Sequence, residues 1–329
     1  MKTKTKYRLL LAGLIMGVGL TGLAALSLGP VPLSFPLDSF QAKILFDLRL
    51  PRILLALMVG AALAVAGVLF QGLFRNPLAD PYVLGTSSGA AFGATIAVFS
   101  GMNLRFFGLS ARPLFAFGGA LLATALVYSL GRSGRRPALT MMLLAGIAVG
   151  AFFSAMTSLL LFFRQQELAK IMFWMMGGFA YARWAEVRIV LPYLGGAFLY
   201  SWSLARQLNL LLLGEEKAHQ LGLAVGDFQR RIVMTASVLV AAAVSVSGAI
   251  GFVGMVAPHI VRLLIGPDHR SLLPASALAG GLLLLVADTL ARILLYPVEL
   301  PVGVLTSFIG GPFFLYLLSL LQKGRSDWY

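Results

Sequence analysis

An acidic and a basic residue lie four positions apart inside a long apolar run, where charged side chains are rare. Asp288 and Arg292 both occur in the stretch LLLLVADTLARILL, and Asp288 is the acid that lies most clearly inside a membrane-length segment. Such a carboxylate could carry a proton in an ion-coupled carrier. However, residues four apart share a helix face, and a neighbouring arginine keeps a carboxylate ionised. The spacing therefore favours a structural pair between Asp288 and Arg292 over a proton relay.

Other residues that often perform chemistry do not form a recognisable set. The three histidines, His219, His259 and His269, lack partners at metal-ligand spacing, and the chain contains no cysteine. The basic stretch GRSGRRP lacks both the GxxxxGK[ST] pattern and the strand–loop–helix context of a phosphate-binding loop. We therefore expect no catalytic, cofactor or metal site here, and an intramembrane enzyme is disfavoured. If the chain takes part in active transport, the energy comes from another polypeptide.

Two arginines flank a proline in the stretch DLRLPRILL. Pro51 suits the first turn of a helix, so Arg52 is expected at the positive end of the helix dipole, where a cation is disfavoured. Arg49 lies beside it. A basic pair in this position indicates an anion outside the chain. The residues alone leave two candidates, the phosphate of a membrane lipid and the acidic side chains of a docking protein.

A polar stretch, LLLLGEEKAHQLGLAVGDFQRR, interrupts the apolar pattern. Glu215 and Glu216 suit the first turn of a short helix, where carboxylates complement the dipole, and Gly222 suits its left-handed end. Between them Ala218 and Leu221 are expected on one face. The pattern predicts a short cytoplasmic helix that docks into a groove on a partner. The alternative is a surface helix that merely lies on the bundle.

The stretch FRNPLADPYVLG, between two apolar runs, carries two prolines. Pro77 and Pro81 remove backbone donors and disfavour helix in the residues before them. Irregular backbone at membrane depth is tolerated only where protein or water satisfies it. The stretch therefore predicts a non-helical segment between two membrane helices.

These residues must be positioned by membrane helices. Of 329 residues, 59% are apolar and 12% charged, whereas soluble domains are about 25% charged. The sequence therefore predicts an all-α integral membrane protein in which residues 1–329 form a single transmembrane domain. About 20 apolar residues span a bilayer, so the eighth predicted segment is too short to cross as a straight helix. The predicted helices cover residues 9–28, 53–74, 84–101, 113–131, 139–163, 187–206, 232–250, 256–265, 272–294 and 303–321.

Ten segments place both chain ends on one side of the membrane. The densest basic clusters, residues 2–8 and 132–136, fall on that side, which the positive-inside rule makes cytoplasmic. The net charge of +14 is spread over short loops, so it indicates lipid phosphates rather than nucleic acid.

A faint repeat suggests that the chain has two inverted five-helix halves. Gly67 follows an alanine and Gly248 follows a serine, and each glycine precedes a proline, Pro77 or Pro258, by ten residues. Inverted repeats with broken helices near the substrate path are common in transporters.

Several long blocks resemble the permease subunits of FecCD-type, ATP-driven bacterial importers for ferric siderophores, haem and cobalamin. The similarity runs from about residue 49 to about residue 318, and the blocks occur in the family's order. They read RLPRILLALMVGAALAVAGVLFQGLFRNPLADPYVLGTSSGA, FWMMGGF, LLLGEEKAHQLGL, SGAIGFVGMVAPHIVRLLIGPDHRSLLP, ADTLAR and ELPVGVLTSFIGGPFF.

The resemblance implies an assembly in the bacterial cytoplasmic membrane. Two permease subunits of ten helices each would surround a central pathway, with two ATPase subunits beneath and one substrate-binding protein outside. ATP and Mg²⁺ would bind the ATPase subunits, and two copies of this chain could form the permease pair. The expected function is import of an iron–siderophore, haem or cobalamin chelate, with the chelate left open. The alternative is an ion- or proton-coupled carrier that works without an ATPase.

The resemblance also implies docking roles. The helix that corresponds to residues 215–222 docks into the ATPase. The residues that match Arg49, Arg52 and Arg292 receive acidic side chains of the binding protein.

A cytoplasmic gate is implied as well. The loop that matches Asn76 and Leu78 lines the inner end of the pathway beside a water-accessible cavity. Leu139 and Thr140, at the start of the fifth predicted helix, match a neighbouring part of the gate.

Overall fold

The fold is almost entirely helical. The computed structural model describes residues 2–29, 38–101, 105–106, 109–133 and 136–322. Within these ranges a π-helix covers Ile44–Arg49 and a 3₁₀-helix covers Gln165–Glu167. The β-structure consists of two antiparallel pairs, β1 (Arg105–Phe106) with β2 (Leu109–Ser110) and β3 (Arg132–Ser133) with β4 (Arg136–Pro137). The α-helices are α1 (Lys2–Ser27), α2 (Ser39–Lys43), α3 (Leu50–Phe74), α4 (Thr86–Phe99), α5 (Ala111–Leu130), α6 (Leu139–Phe163), α7 (Leu168–Met175), α8 (Trp184–Ser203), α9 (Ala205–Leu211), α10 (Glu215–Gln220), α11 (Val225–Ser247), α12 (Val253–Ile265), α13 (His269–Ile293) and α14 (Val302–Gln322).

Each of the ten predicted segments overlaps a helix of the structure, with ends that differ by several residues. In the described part of the chain, seven helices are long and apolar enough to cross a membrane, and α4 and α12 are shorter apolar helices. Most of α12 is buried, which agrees with a short helix packed inside the protein. The structure thus confirms an all-α, multi-pass membrane protein, while the number of crossings and the orientation stay predictions. Residues 134 and 135 of the second basic cluster lie outside the described residues.

The second predicted helix begins earlier than the sequence indicated. Asp38 caps α2 by accepting a hydrogen bond from the backbone N–H of Gln41 at 2.6 Å, and the chain then continues through the π-helix into α3 without leaving helical geometry. Arg52 is therefore inside a continuous helical segment and not at a free helix N-terminus. The argument that placed Arg52 at the positive end of a helix dipole was wrong for this reason.

Helix α3 forms the centre of the bundle and packs most extensively against α13, α11 and α12. The contacts are made by small residues. A Cβ added at Gly60 would collide with the carbonyl oxygen of Gly280 in α13, and a Cβ added at Gly67 would collide with that of Gly254 in α12. Small residues let membrane helices approach until their backbones touch. The three helices therefore form a tightly packed core.

The faint sequence repeat has no counterpart at these positions. Gly67 lies inside α3, whereas Gly248 ends α11 with a φ of +68°. Pro77 lies in a loop, whereas Pro258 lies inside α12. The match of residue types arose without a match of conformation, because α3 continues past its glycine and α11 stops. The inverted relation of the two halves stays a prediction.

Candidate gate, coupling helix and outer ion-pair cluster

Arg52 is the centre of an ion-pair cluster, here called the outer cluster, which also contains Asp288, Glu299, Arg292 and Arg49. The Arg52 guanidinium donates to both oxygens of Asp288 through Nε, at 3.0 and 3.1 Å, and to Oδ1 through Nη2, at 2.9 Å. Its Nη1 donates to Glu299 at 2.9 Å. Asp288 is fully buried, and a bidentate contact with arginine satisfies a carboxylate well. Helix α3 is thereby joined to α13 and to the segment that precedes α14.

The predicted pair of Asp288 and Arg292 is present, but its contact is longer than that between Asp288 and Arg52. Arg292 Nε lies 3.5 Å from Asp288 Oδ2, and the guanidinium also donates to the carbonyl oxygen of Ala25 at 3.3 Å. Arg49 Nη1 donates to the carbonyl oxygen of Leu26. The last carbonyls of α1 therefore face two buried arginines, which complements the negative end of that helix.

The acidic partners of Arg52 lie within the chain itself, whereas the sequence predicted an anion outside it. Arg49 and Arg292 are buried, and the Arg52 side chain is 12% exposed. Two acidic side chains of the chain itself, Asp288 and Glu299, neutralise Arg52, which corrects the inference that its partner must be external. The docking role of the three arginines stays a prediction.

Helix α10 is the short helix predicted in the polar stretch. Glu215 and Glu216 stand in its first turn, and Gly222, with a φ of +86°, follows its last turn. The N–H of Gly222 donates to the carbonyl oxygen of His219 at 2.9 Å, so the left-handed end satisfies helix carbonyls. We call α10 the coupling helix.

Ala218 and Leu221 do not share an exposed face, which corrects the predicted docking surface. Ala218 is fully buried where α10 packs on α9 and α11, whereas Leu221 is 60% exposed. The side of α10 that carries Ala218 is the side that faces α9 and α11, and a small side chain there lets the helices approach closely. The exposed surface consists instead of Glu215, Glu216, Lys217, His219, Gln220, Leu221 and Gly222.

Glu215 ties the coupling helix to two other elements. Its Oε1 accepts a hydrogen bond from Gln229 Nε2 of α11 at 3.0 Å and lies 3.6 Å from Arg75 Nη2. Arg75 is the residue that ends α3, in the left-handed conformation with a φ of +48°. The coupling helix is thus connected directly to the start of the proline-containing segment, residues 75–85, which we call the gate loop.

The gate loop satisfies its own backbone, as its prolines require. Asn76 Oδ1 accepts from the N–H of Leu78 at 2.9 Å, and Asp80 Oδ1 accepts from the N–H of Tyr82 at 2.7 Å. Side chains that bond to backbone two residues on stabilise turns. Asn76 is exposed and Leu78 is half-buried. Burial raises the pKa of the Asp80 carboxyl from 3.8 to about 6, and the hydrogen bond from Tyr82 offsets part of that rise.

Tyr82 joins the gate loop to the connection between α11 and α12, a contact that sequence analysis missed. Its hydroxyl donates to the carbonyl oxygen of Ile250 and accepts from the N–H of Ile250, both at 3.1 Å. The connection is bounded by Gly248 and Phe252, each with a φ of +68°. Burial raises the pKa of the Tyr82 phenol, which keeps it a donor. The sequence signal that could have indicated this contact is the presence of a tyrosine in a membrane segment that prolines interrupt.

Helix α6 contacts the gate loop, but beyond the predicted gate residues. Leu139 is half-buried and Thr140 exposed at the start of the helix. The close approach occurs further along, where a Cβ at Gly146 would collide with the carbonyl oxygen of Val83. The gating roles of Leu139 and Thr140, like those of Asn76 and Leu78, stay predictions.

A second polar contact holds the same end of the bundle. Asn209 of α9 donates to Asp268 at 2.7 Å, and its Oδ1 accepts from the backbone N–H of His269 at 2.9 Å. Segment α9–α10 is therefore fixed to the start of α13 as well as to α11 and the gate loop. The gate loop, α9, α10 and the starts of α11 and α13 are therefore gathered at one end of the bundle.

Comparison with known proteins shows which family the chain resembles. The family model described as the FecCD transport family matches residues 20–319. The chain is 41% identical to the hemin transport system permease protein of Yersinia pestis over 334 residues, which covers 99% of this chain and all of the relative. It is 47% identical to the cobalamin import system permease protein of Halobacterium salinarum over 290 residues, covering 87% of this chain and 76% of that one.

The fold is also similar to that of a solved structure. A metal-chelate type ABC transporter in an inward-facing conformation superposes with a TM-score of 0.86 at 36% identity, covering 95% of this chain and 99% of the other. With the family model spanning most of the sequence and relatives matching over nearly their whole length, the chain belongs to the FecCD transport family.

Proposed function

We propose that this chain is the membrane-spanning subunit of an ATP-driven importer that moves an iron–siderophore, haem or cobalamin chelate across the bacterial cytoplasmic membrane. The observation that carries this proposal is the connection of an exposed short helix, through Glu215, to Arg75 of the gate loop. A surface helix that only covered the bundle would not need to contact the segment that interrupts two membrane helices.

The energy would enter through the coupling helix. In this proposal two ATPase subunits bind ATP and Mg²⁺, and this chain carries no cofactor. The exposed surface around Leu221 would contact an ATPase, and displacement of α10 would act on Arg75 through Glu215. Because Tyr82 joins the gate loop to Ile250, the connection between α11 and α12 would move with it. Asn76 and Leu78 would then open or close the inner end of the pathway.

The pathway would form between two copies of this chain, with both chain ends in the cytoplasm. Helices α6 and α14 are apolar yet mostly exposed, which fits a face covered by a second subunit or by lipid. A shallow hollow of about 430 Å³ is lined by Met175, Met176 and Phe308 together with small residues around Gly251. Flexible and aromatic apolar side chains of this kind can contact a bulky ligand without a dense set of polar bonds.

The opposite end would receive the binding protein. Glu299 is 36% exposed and is the most accessible member of the ion pairs that Arg52 makes. A carboxylate of the binding protein could replace Glu299 at Arg52 without leaving the guanidinium unpaired, because Asp288 remains in place. The predicted docking role of Arg49 and Arg292 would require α1 to move away from their side chains.

Reconstitution in vesicles tests which chelate is transported and whether ATP drives its transport. The chain, its genomically adjacent ATPase and a binding protein would be placed in vesicles, and uptake of labelled haem, cobalamin and a ferric siderophore measured with and without ATP. We expect ATP-dependent uptake of one class. Leu221→Arg should abolish co-purification of the ATPase, whereas Ser203→Arg, at an exposed position outside the coupling helix, should not.

The alternative function, an ion- or proton-coupled carrier, is disfavoured by the outer cluster. Asp288 is held between Arg52 and Arg292, so it is poorly placed to exchange a proton. Uptake by the chain alone, driven by an ion gradient and abolished when an ionophore dissipates that gradient, would establish the carrier and overturn the importer.

A further inference from the structure

A groove of about 900 Å³ lies between α5 and α11. Its volume is at the upper end of the roughly 300–1,000 Å³ that small-molecule sites enclose. None of the residues that line it belongs to the gate loop, the coupling helix or the outer cluster. The groove is therefore separate from the three elements on which the function proposed above rests.

The groove has the length of one membrane leaflet. Along α5 it extends from Leu121 to Arg132 just beyond the helix, and along α11 from Asp227 to Val238. At 1.5 Å per residue each wall is about 16 Å long, close to half of the roughly 30 Å hydrocarbon core of a bilayer. One end of the groove, here called the charged end, lies where α5 ends and α11 begins, and β4 of the hairpin after α5 packs against α11 there.

Charge and apolar surface are separated along this length. Arg132 and Arg230 lie at the charged end and are exposed, together with one acid, Asp227, so this end carries a net positive charge. The remaining walls are mainly apolar and include Val233 and Val238. A ligand that fits has an anionic head and a hydrocarbon body. Basic pockets between membrane helices on the cytoplasmic side bind anionic lipid head groups.

A buried hydroxyl also points to a ligand. Ser237 lines the groove, is 2% exposed, and has no hydrogen-bond partner for its Oγ among the described residues. A buried polar atom without a partner is costly, so the groove offers an unused donor below the charged end. The ester carbonyls of a glycerolipid lie between the charged head and the acyl chains, and they accept hydrogen bonds.

We propose that the groove between α5 and α11 binds one anionic phospholipid, with its phosphate at Arg132 and Arg230, its ester carbonyls near Ser237, and an acyl chain beyond them along Val238 and Leu121. The site takes its lipid from the leaflet on the side of the gate loop. That this leaflet is the cytoplasmic one rests on the proposed function, but the binding itself does not.

The test uses the full chain in nanodiscs of equimolar phosphatidylcholine and phosphatidylglycerol. Native mass spectrometry after mild detergent release measures which lipid stays bound. We expect one retained phosphatidylglycerol per chain, and a loss of retention on the order of ten-fold in the double variant Arg132→Gln with Arg230→Gln, because each arginine near the surface attracts anionic lipid. The double variant Arg206→Gln with Arg270→Gln removes two exposed charges at the same end but outside the groove, and should retain the lipid.

A second pair of variants tests the apolar wall without altering charge. Ala125→Phe fills the groove from an exposed position on α5 and should displace the lipid, whereas Leu122→Phe, nearly one turn away and outside the lining, should not. Equal retention of the two lipids, or retention of phosphatidylglycerol by Ala125→Phe and by the arginine double variant, would overturn the proposal.

A second copy of the chain is the other possible occupant. The native sequence has no cysteine, so Met234→Cys places a single thiol at the 58% exposed methionine that lines the groove. Labelling of this thiol by a maleimide-bearing phosphatidylglycerol supports the lipid site. Efficient cross-linking of two protomers by a short bismaleimide would show that a second copy covers the groove and would overturn it. Neither readout depends on transport, so failure here is separate from failure of the importer proposal.

Discussion

Arg75 Nη2 lies 3.6 Å from Glu215 Oε1, and this contact connects the end of the central helix α3 with the coupling helix α10. The two side chains are 41% and 46% exposed, so the pair contributes little to stability, on the order of 0.2–1 kcal/mol. The contact matters for the proposed coupling, because it connects the surface proposed for the ATPase with the first residue of the gate loop.

We expect Glu215→Lys to lower the amount of substrate moved per ATP hydrolysed several-fold while the fold is retained. The charge exchange Arg75→Glu with Glu215→Arg should recover part of the coupling, since it restores the attraction but loses the hydrogen bond from Gln229. The measurement is uptake and ATP hydrolysis in the same reconstituted vesicles. As a control, Lys170→Glu breaks the exposed pair with Glu167, at 3.0 Å, and should leave coupling unchanged. Unaltered coupling in Glu215→Lys would contradict the proposed path.

Tyr82→Phe should loosen the gate without unfolding the protein. The change removes both hydrogen bonds to Ile250 and leaves its N–H and carbonyl without these partners, at a cost of about 1–3 kcal/mol. We expect substrate to leak from loaded vesicles faster than with wild type in the absence of ATP. Tyr193→Phe, at a 47% exposed position of α8, is the matched control. A leak identical to wild type would show that this contact does not hold the gate.

Asp288→Asn should be among the most destabilising single changes in the chain. It removes the fully buried acid that neutralises Arg52 and Arg292, and breaking a buried pair in this way typically costs about 3–5 kcal/mol. Thermal unfolding in detergent measures the effect. Glu299→Gln removes a carboxylate that is 36% exposed and bonded to the same arginine, and should lower the unfolding midpoint much less. If Asp288→Asn and Glu299→Gln lower the unfolding midpoint equally, water must reach Asp288.

The Asp80 carboxyl should contribute stability that rises as the pH falls through the range in which it takes up a proton. The folded carboxyl has a pKa of about 6 against an ordinary value of 3.8, so between these values the folded state binds the proton that the unfolded chain has released. The unfolding midpoint of wild type minus that of Asp80→Asn should therefore be larger at about pH 5 than at about pH 8, because the contributions of all other titrating groups cancel in this difference. Asp47→Asn, at an exposed position, should show the same pH dependence as wild type. An identical pH dependence of wild type and Asp80→Asn would show that Asp80 makes no such contribution.

The helices and the gate loop could be predicted from the sequence, because both follow from local rules. Long apolar runs require helices in a membrane, and prolines interrupt them at fixed places. The partners of the site residues could not be predicted in this way. Asp288 is 236 residues from Arg52, and Ile250 is 168 residues from Tyr82, so only the packing of the bundle brings them together.

The coupling helix shows a second limit of sequence analysis. Spacing placed Ala218 and Leu221 on one side of α10, but the exposed face depends on where α9 and α11 lie. For a helix of six residues the neighbours decide which side is buried. The same applies to Ala25 and Leu26, whose carbonyl oxygens pair with arginines from α13 and the π-helix, because backbone groups leave no signal in residue types.

The glycine contacts among α3, α12 and α13 also restrict how this protein can change shape. Where backbone touches backbone, as at Gly60 with Gly280 and at Gly67 with Gly254, no side chain can change its rotamer to accommodate sliding or bending. In the transport cycle proposed here the three helices would therefore move as one rigid body. The rotations that alternate access would occur around this body, in the gate loop, in the α11–α12 connection and in the exposed helices α6 and α14.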